Sequence, residues 1–316
     1  MTRFPMNERI TPYLRKQLDN PAIARQYAVG AQPAEAAALF NTLDPLYEDD
    51  LQGVKGLVHK YPNRALLKVS YRCAAHCRFC TRIRQIGTAD GDLAPEQLDN
   101  ALQYLRAHPE ITDVILSGGD PFYTPRETTY LLDQLAGIDS VRVLRIGTRL
   151  PIHNPASFAS KLLLGVLEAV RRAAAVKPFY VLLHFAHPDE LTPETRAVIR
   201  QLRATGVTLL AQTVFLKGIN DDVPTLRRLF EELYWAGVTP YYLYRCDRVL
   251  GLEHFVCDLA DEVRIASELR RVLSGIACPT YIVDVEGHGK IPVPLDFWQG
   301  TNYSQCEDFR RHLITL

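Results

Sequence analysis

Between residues 57 and 274 the chain alternates short apolar, β-rich runs with amphipathic helical stretches six times. That alternation limits the fold more than any other property of the sequence. Strands are expected over 65–71, 113–116, 141–146, 179–184, 207–214 and 238–244, and helices over 95–107, 125–135, 157–175, 193–204, 224–235 and 260–274. Several helices carry start and stop signals. Thr192-Pro193 precedes one that ends before Gly206, Thr124-Pro125 pairs with Gly137, and Pro224 with Gly237. The strands are apolar on both faces, as in a parallel sheet covered by helices. The expectation is an α/β fold, a partial (β/α)6 barrel of the TIM type, because eight units are not found. A further apolar run over 280–283 closes or caps it. Residues 1–55 read as a small N-terminal helical extension with a helical stretch over 34–43, residues 56–290 as the barrel, and 291–316 as a short tail.

Charge and composition exclude several classes. Lys plus Arg (36) balances Asp plus Glu (36), so no field suited to nonspecific nucleic-acid binding exists. No apolar run reaches membrane-spanning length and the first residues lack a signal-peptide core, so a cytoplasmic protein with no membrane partner is expected. Seven cysteines, three of them within eight residues, suit metal or redox chemistry better than a disulfide framework.

Those three are Cys73, Cys77 and Cys80, directly after the first expected strand. Thiolates spaced in this way on one loop can ligate three irons of a [4Fe–4S] cubane and leave the fourth open. A zinc site usually wants four ligands in paired spacing, and a ferredoxin a fourth Cys nearby. None follows until Cys246. Position adds weight. The Cys loop, Ser117-Gly118-Gly119-Asp120, Gly147-Thr148-Arg149, His184, Gln212 and the 244–247 stretch each stand at the C-terminal end of an expected strand, the face on which β/α barrels gather catalytic groups.

With these motifs the chain resembles the radical S-adenosylmethionine (SAM) superfamily. The resemblance implies that Ser117, Gly118, Gly119 and Asp120 form the turn that meets the amino group of SAM. Between about His59 and Pro294 it narrows to the lysine 2,3-aminomutase family. It is carried by His59-Lys-Tyr-Pro-Asn-Arg64, Cys80-Thr-Arg82, Leu144-Arg-Ile-Gly-Thr-Arg149, Tyr241-Tyr-Leu-Tyr-Arg-Cys-Asp247, Pro279-Thr-Tyr-Ile-Val-Asp284 and Gly287-His-Gly289-Lys290. It implies pyridoxal 5′-phosphate as the carrier of the migrating amino group, on Lys290, with Lys60, Tyr61 and Arg64 around the ring and phosphate. His184 and Gln212 match SAM contacts, and Tyr244 a residue beside both cofactors. Arg82 matches the partner of the substrate carboxylate, and Asp247 with Asp284 the pair that holds the distal ammonium of lysine.

The resemblance therefore implies an isomerase that moves the α-amino group of a basic amino acid, L-lysine first, to the β-carbon. It also implies an external reductant such as flavodoxin or ferredoxin, and allows a homo-oligomer. Three departures stand out: Lys60 replaces an Arg, the Asp284-to-Lys290 loop is one residue shorter, and Asp222 replaces a zinc-binding Cys, so no structural zinc is expected. The alternatives are the shorter branch that makes β-lysine for elongation factor P, a 2,3-aminomutase for arginine, and a radical SAM enzyme without pyridoxal phosphate acting on RNA or protein.

Overall fold

The computed structural model describes residues 7–31, 40–88, 92–285, 289–299, 305–307 and 311–315. The N-terminal segment contributes two short helices, α1 (Pro12–Arg15) and α2 (Pro21–Tyr27), and then a strand, β1 (Gln52–Val54). β2 (Leu57–Tyr61) and β3 (Arg64–Ser70) follow as antiparallel neighbours. From β3 the chain runs through α3 (Pro95–Ala107), β4 (Asp113–Gly118), α4 (Pro125–Ala136), β5 (Val143–Thr148), the short α5 (Leu150–His153) and α6 (Lys161–Val176). It continues through β6 (Phe179–His184), α7 (Pro193–Arg203), β7 (Thr208–Val214), α8 (Val223–Trp235), β8 (Thr239–Tyr244), α9 (Leu259–Val272), β9 (Thr280–Val285) and β10 (Gly289–Pro292). Strands β3 to β9 are parallel and paired in chain order, and β10 returns antiparallel along β9. The result is an open, partial (β/α) barrel of six βα units plus a seventh parallel strand.

The helices cover the sheet through apolar stripes at i, i+3, i+4 and i+7. In α4 these are Thr128, Leu131, Leu132 and Leu135, packed on α6 through its Leu163, Val166, Leu167 and Val170. Truncating one such leucine to alanine costs about 2–5 kcal/mol. Helix starts follow the sequence signals only in part. Thr192 accepts a bond from the Thr195 N–H at 3.2 Å, as an N-cap does. Thr124 does not cap; its hydroxyl donates to the Pro121 carbonyl at 3.3 Å.

Strands β4 and β5 run two residues past the expected ends, because backbone pairing continues beyond the last large apolar residue. Lys68 pairs with Ser117, and Thr148 with Leu183. The expected helical stretch over 34–43 lies mostly outside the described residues, and 40–43 is not helical. Asp222, where no zinc ligand was expected, caps α8 by accepting from the Thr225 N–H at 2.8 Å.

The cysteine loop between β3 and α3 has no ladder of its own, yet its backbone polar groups need partners. Two of them are supplied from the N-terminal segment: the His76 N–H donates to the Arg9 carbonyl at 2.9 Å and the Arg78 N–H to the Gln26 carbonyl at 2.7 Å. On the other side lies the end of β4. A Cβ on Gly119 would stand 2.2 Å from the Arg72 carbonyl oxygen, and one on Gly118, at φ +101°, 2.5 Å from that of Ser70. Only glycine admits so close an approach.

Candidate active site

Alternation along each parallel strand sends one residue to the helices and the next to the interior. Inside, Ile115 and Ser117 of β4, Arg145 and Gly147 of β5, Leu182 and His184 of β6, Gln212 and Val214 of β7, and Tyr242 and Tyr244 of β8 line one cavity of about 480 Å³. Every site residue expected from sequence reaches this cavity: Cys73, Cys77, Cys80, Lys60, Tyr61, Arg64, Arg82, Ser117, Gly118, Gly119, Asp120, His184, Gln212, Tyr244, Asp247, Asp284 and Lys290.

Burial pushes the three thiols up, that of Cys80 to about 12. All three line the cavity, and among the described residues no three His, Cys, Asp or Glu side chains are arranged to hold a single metal ion. A cubane takes each thiolate on a different iron, so three thiols of one loop suit it by their chemistry. Cys77 also receives a hydrogen bond from the Arg149 guanidinium at 3.2 Å. That guanidinium is buried and also donates to Glu190 at 2.6 Å and Gln26 at 3.0 Å.

The residues matched to SAM behave differently from one another. Ser117 and the two glycines present the strand end. Asp120 commits its carboxylate to structure: Thr148 Oγ1 (2.8 Å), Arg149 N–H (2.8 Å) and Phe122 N–H (3.1 Å) all donate to it. Burial nevertheless raises its pKa to about 6. His184 Nε2 is buried without a hydrogen-bond partner, and burial drives the ring far toward neutrality. Such an orphaned nitrogen on a cavity wall is ready for a ligand. Gln212 donates to the Tyr244 hydroxyl at 3.0 Å.

At the β9–β10 hairpin, Asp284 and Lys290 are directly paired across the strands, so their side chains meet, at 2.9 Å. Asp284 also accepts from Lys60 at 3.2 Å. Gly289, at φ +86°, lets Tyr61 approach; a Cβ there would lie 2.6 Å from the phenol oxygen. The Lys290 N–H donates to that oxygen at 3.3 Å, and Arg64 lies 4.0 Å over the Tyr61 ring. Arg64 has no carboxylate partner among the described residues, which leaves a cation for an anionic group such as a phosphate. Asp247 has no side-chain hydrogen-bond partner among the described residues. Burial, reinforced by the neighbouring Asp284 charge, raises its pKa to about 7.

Arg82 departs from the simplest expectation of a guanidinium waiting for substrate. It donates through Nε (2.9 Å) and NH2 (2.5 Å) to Glu48, and NH1 lies 3.4 Å from the Gly118 carbonyl. Sequence reasoning missed Glu48, Lys68 and His153, and placed Arg149 at a strand end without its partners. Lys68 left a signal, a lone charge inside an apolar strand. Glu48, in an acidic stretch of the N-terminal segment, left none.

Comparison with known proteins agrees with this geometry. The model of the radical SAM superfamily matches residues 67–230. The L-lysine 2,3-aminomutase of Fusobacterium nucleatum is 39% identical over 90% of this chain and 66% of its own length. That of Clostridium subterminale is 37% identical over 90% and 68%, and that of Escherichia coli 38% over 89% and 80%. This chain thus spans about two thirds of the first two relatives. Fold and site together define a radical SAM enzyme, which implies an iron–sulfur cluster and SAM. Within that class the chain belongs to the lysine 2,3-aminomutase family, whose radical chemistry moves an amino group. Among the described residues no helix is long and apolar enough to cross a membrane.

Proposed function

We propose that this chain converts L-lysine to β-lysine, with pyridoxal phosphate on Lys290 beside the cluster and SAM. One observation carries the reading: two buried carboxylates, Asp247 and Asp284, share a cavity with three cluster-spaced thiols and a hairpin lysine. Asp284 already accepts from Lys60 and Lys290, so among the described residues it is Asp247 that lacks a partner, and a substrate ending in an ammonium supplies its counter-charge.

The groups bound by the chain supply hydrogen abstraction and a π-system for nitrogen migration. The residues do the rest. Cys73, Cys77 and Cys80 hold the cluster, and the 117–119 turn with His184 and Gln212 holds SAM. Lys60, Tyr61 and Arg64 cradle the pyridoxal ring and its phosphate. Arg82 receives the substrate carboxylate, and Asp247 with Asp284 the distal ammonium. Held at both ends, the carbon chain presents one β-hydrogen to the reaction, and small displacements there are costly. The reaction is redox-neutral: the nitrogen leaves Cα for Cβ as one hydrogen moves the other way.

The decisive experiment incubates reconstituted protein anaerobically with SAM, a reductant, pyridoxal phosphate and a panel of amino acids. β-Lysine from L-lysine is expected as the main product. A preferred neutral or acidic substrate would refute the reading. Independently, borohydride reduction and peptide mapping are expected to place a pyridoxyl group on Lys290; a mark on another lysine overturns that assignment.

The Asp247 carboxyl gives a pH signature. Its pKa near 7 means that protonation below that value removes a negative charge from the pocket. Hence kcat/KM for lysine is expected to fall by about tenfold per pH unit on the acid side of 7. In Asp247→Asn this limb should vanish. A wild-type profile flat from pH 8 to 5.5 would count against an ionised Asp247 in binding.

A further inference from the structure

We propose that Glu48, from the N-terminal segment, is the positioning residue for Arg82, and that Lys68 holds Glu48 in place. The proposal rests on Arg82 receiving the substrate carboxylate, and adds the residues that aim it.

Glu48 is 4% exposed and lines the cavity. A tight acidic turn presents it, in which the Asp44 side chain accepts from the Glu48 N–H at 3.2 Å and the Asp49 N–H at 3.1 Å. The same turn grips the chain just after the cysteines: Arg84 pairs with Asp44 at 2.9 Å and with Asp49. The turn's position relative to Arg82 is therefore fixed at more than one point. Lys68, 1% exposed on β3, places its ammonium 3.7 Å from Glu48, and among the described residues this nitrogen has no hydrogen-bond partner.

Hydrogen counting shows what the arrangement accomplishes. A guanidinium has five N–H groups in a rigid plane. Glu48 takes the Nε hydrogen and one on NH2, and the Gly118 carbonyl stands on the NH1 side. Glu48 leaves the NH1–NH2 edge, and that edge is the fork which meets a carboxylate in two bonds. The anchored edge fixes the plane of the free one. Burial pushes the Glu48 carboxyl up, but the Arg82 charge and hydrogen bonds outweigh it and keep the group ionised.

The test is a double-mutant cycle on reconstituted enzyme, reading KM and kcat for L-lysine and bound iron for Glu48→Gln, Arg82→Gln and the pair. Glu48→Gln is expected to raise KM on the order of tenfold, with a smaller change in kcat and iron retained. The double variant should match Arg82→Gln alone, since Glu48 acts only through that guanidinium. An unchanged KM in Glu48→Gln overturns the proposal and leaves the Arg82 reading standing. So does full additivity in the double variant, the mark of a merely structural role. An unchanged KM in Arg82→Gln overturns both. Should Glu48→Gln fail to fold, Glu48→Asp and Lys68→Met serve in its place. Each is expected to give a smaller rise in KM, and wild-type KM in both would refute the arrangement.

Discussion

Alanine at Cys73, Cys77 or Cys80 is expected to abolish SAM cleavage and to strip the protein of its cluster. Iron should fall from about four per chain, the content of one cubane, to near zero. The expectation follows from the donor count. Three thiols of one loop line the cavity, and no nearby Cys on that loop can substitute. Cys246 is the informative control, because its buried thiol lies on the same cavity but follows β8. Cys246→Ala should keep its iron. Loss of iron as complete as in Cys77→Ala would make Cys246 a fourth ligand and close the iron on which SAM must bind.

The second large effect is electrostatic. Asp247→Asn and Asp284→Asn are each expected to lower kcat/KM for lysine roughly 10²-fold or more, since losing one partner of a buried, hydrogen-bonded charge commonly costs a few kcal/mol. The two need not respond alike. Asp284 is bonded to Lys60 and Lys290, so its removal also loosens the hairpin, whereas Asp247 has no side-chain hydrogen bond among the described residues and a raised pKa. Both KM and kcat should suffer, because a loosely held chain presents the wrong hydrogen. Wild-type efficiency in both variants would end the distal-cation assignment.

The barrel was legible because period-2 and period-3.6 patterns are local. The helix at Pro95–Ala107 and the strand at Phe179–His184 stand where the sequence puts them. The antiparallel additions were not legible: β1 is three residues long, and its place depends on pairing with β2 rather than on its own pattern. The site was legible where chemistry clusters in sequence, as in the cysteine loop, or where a family motif marks it. Glu48 and Arg82 lie 34 positions apart, and nothing in either neighbourhood announces the pair. Arg149 was visible as a strand-end residue, but its bond to Cys77 spans 72 positions and exists only in the folded chain.

The grip on the cysteine loop has an entropic meaning. Ordering a residue's backbone costs about 1–2 kcal/mol, and a loop left floppy would charge that cost to ligand binding. Here, hydrogen bonds to the Arg9 and Gln26 carbonyls on one side and the glycine turn on the other fix the backbone as the protein folds. On the proposed assignment of the three cysteines, iron would meet a preorganised chelate whose affinity is not taxed by loop ordering. The N-terminal segment, which has no cysteine of its own, would in this way set how tightly the cluster is held.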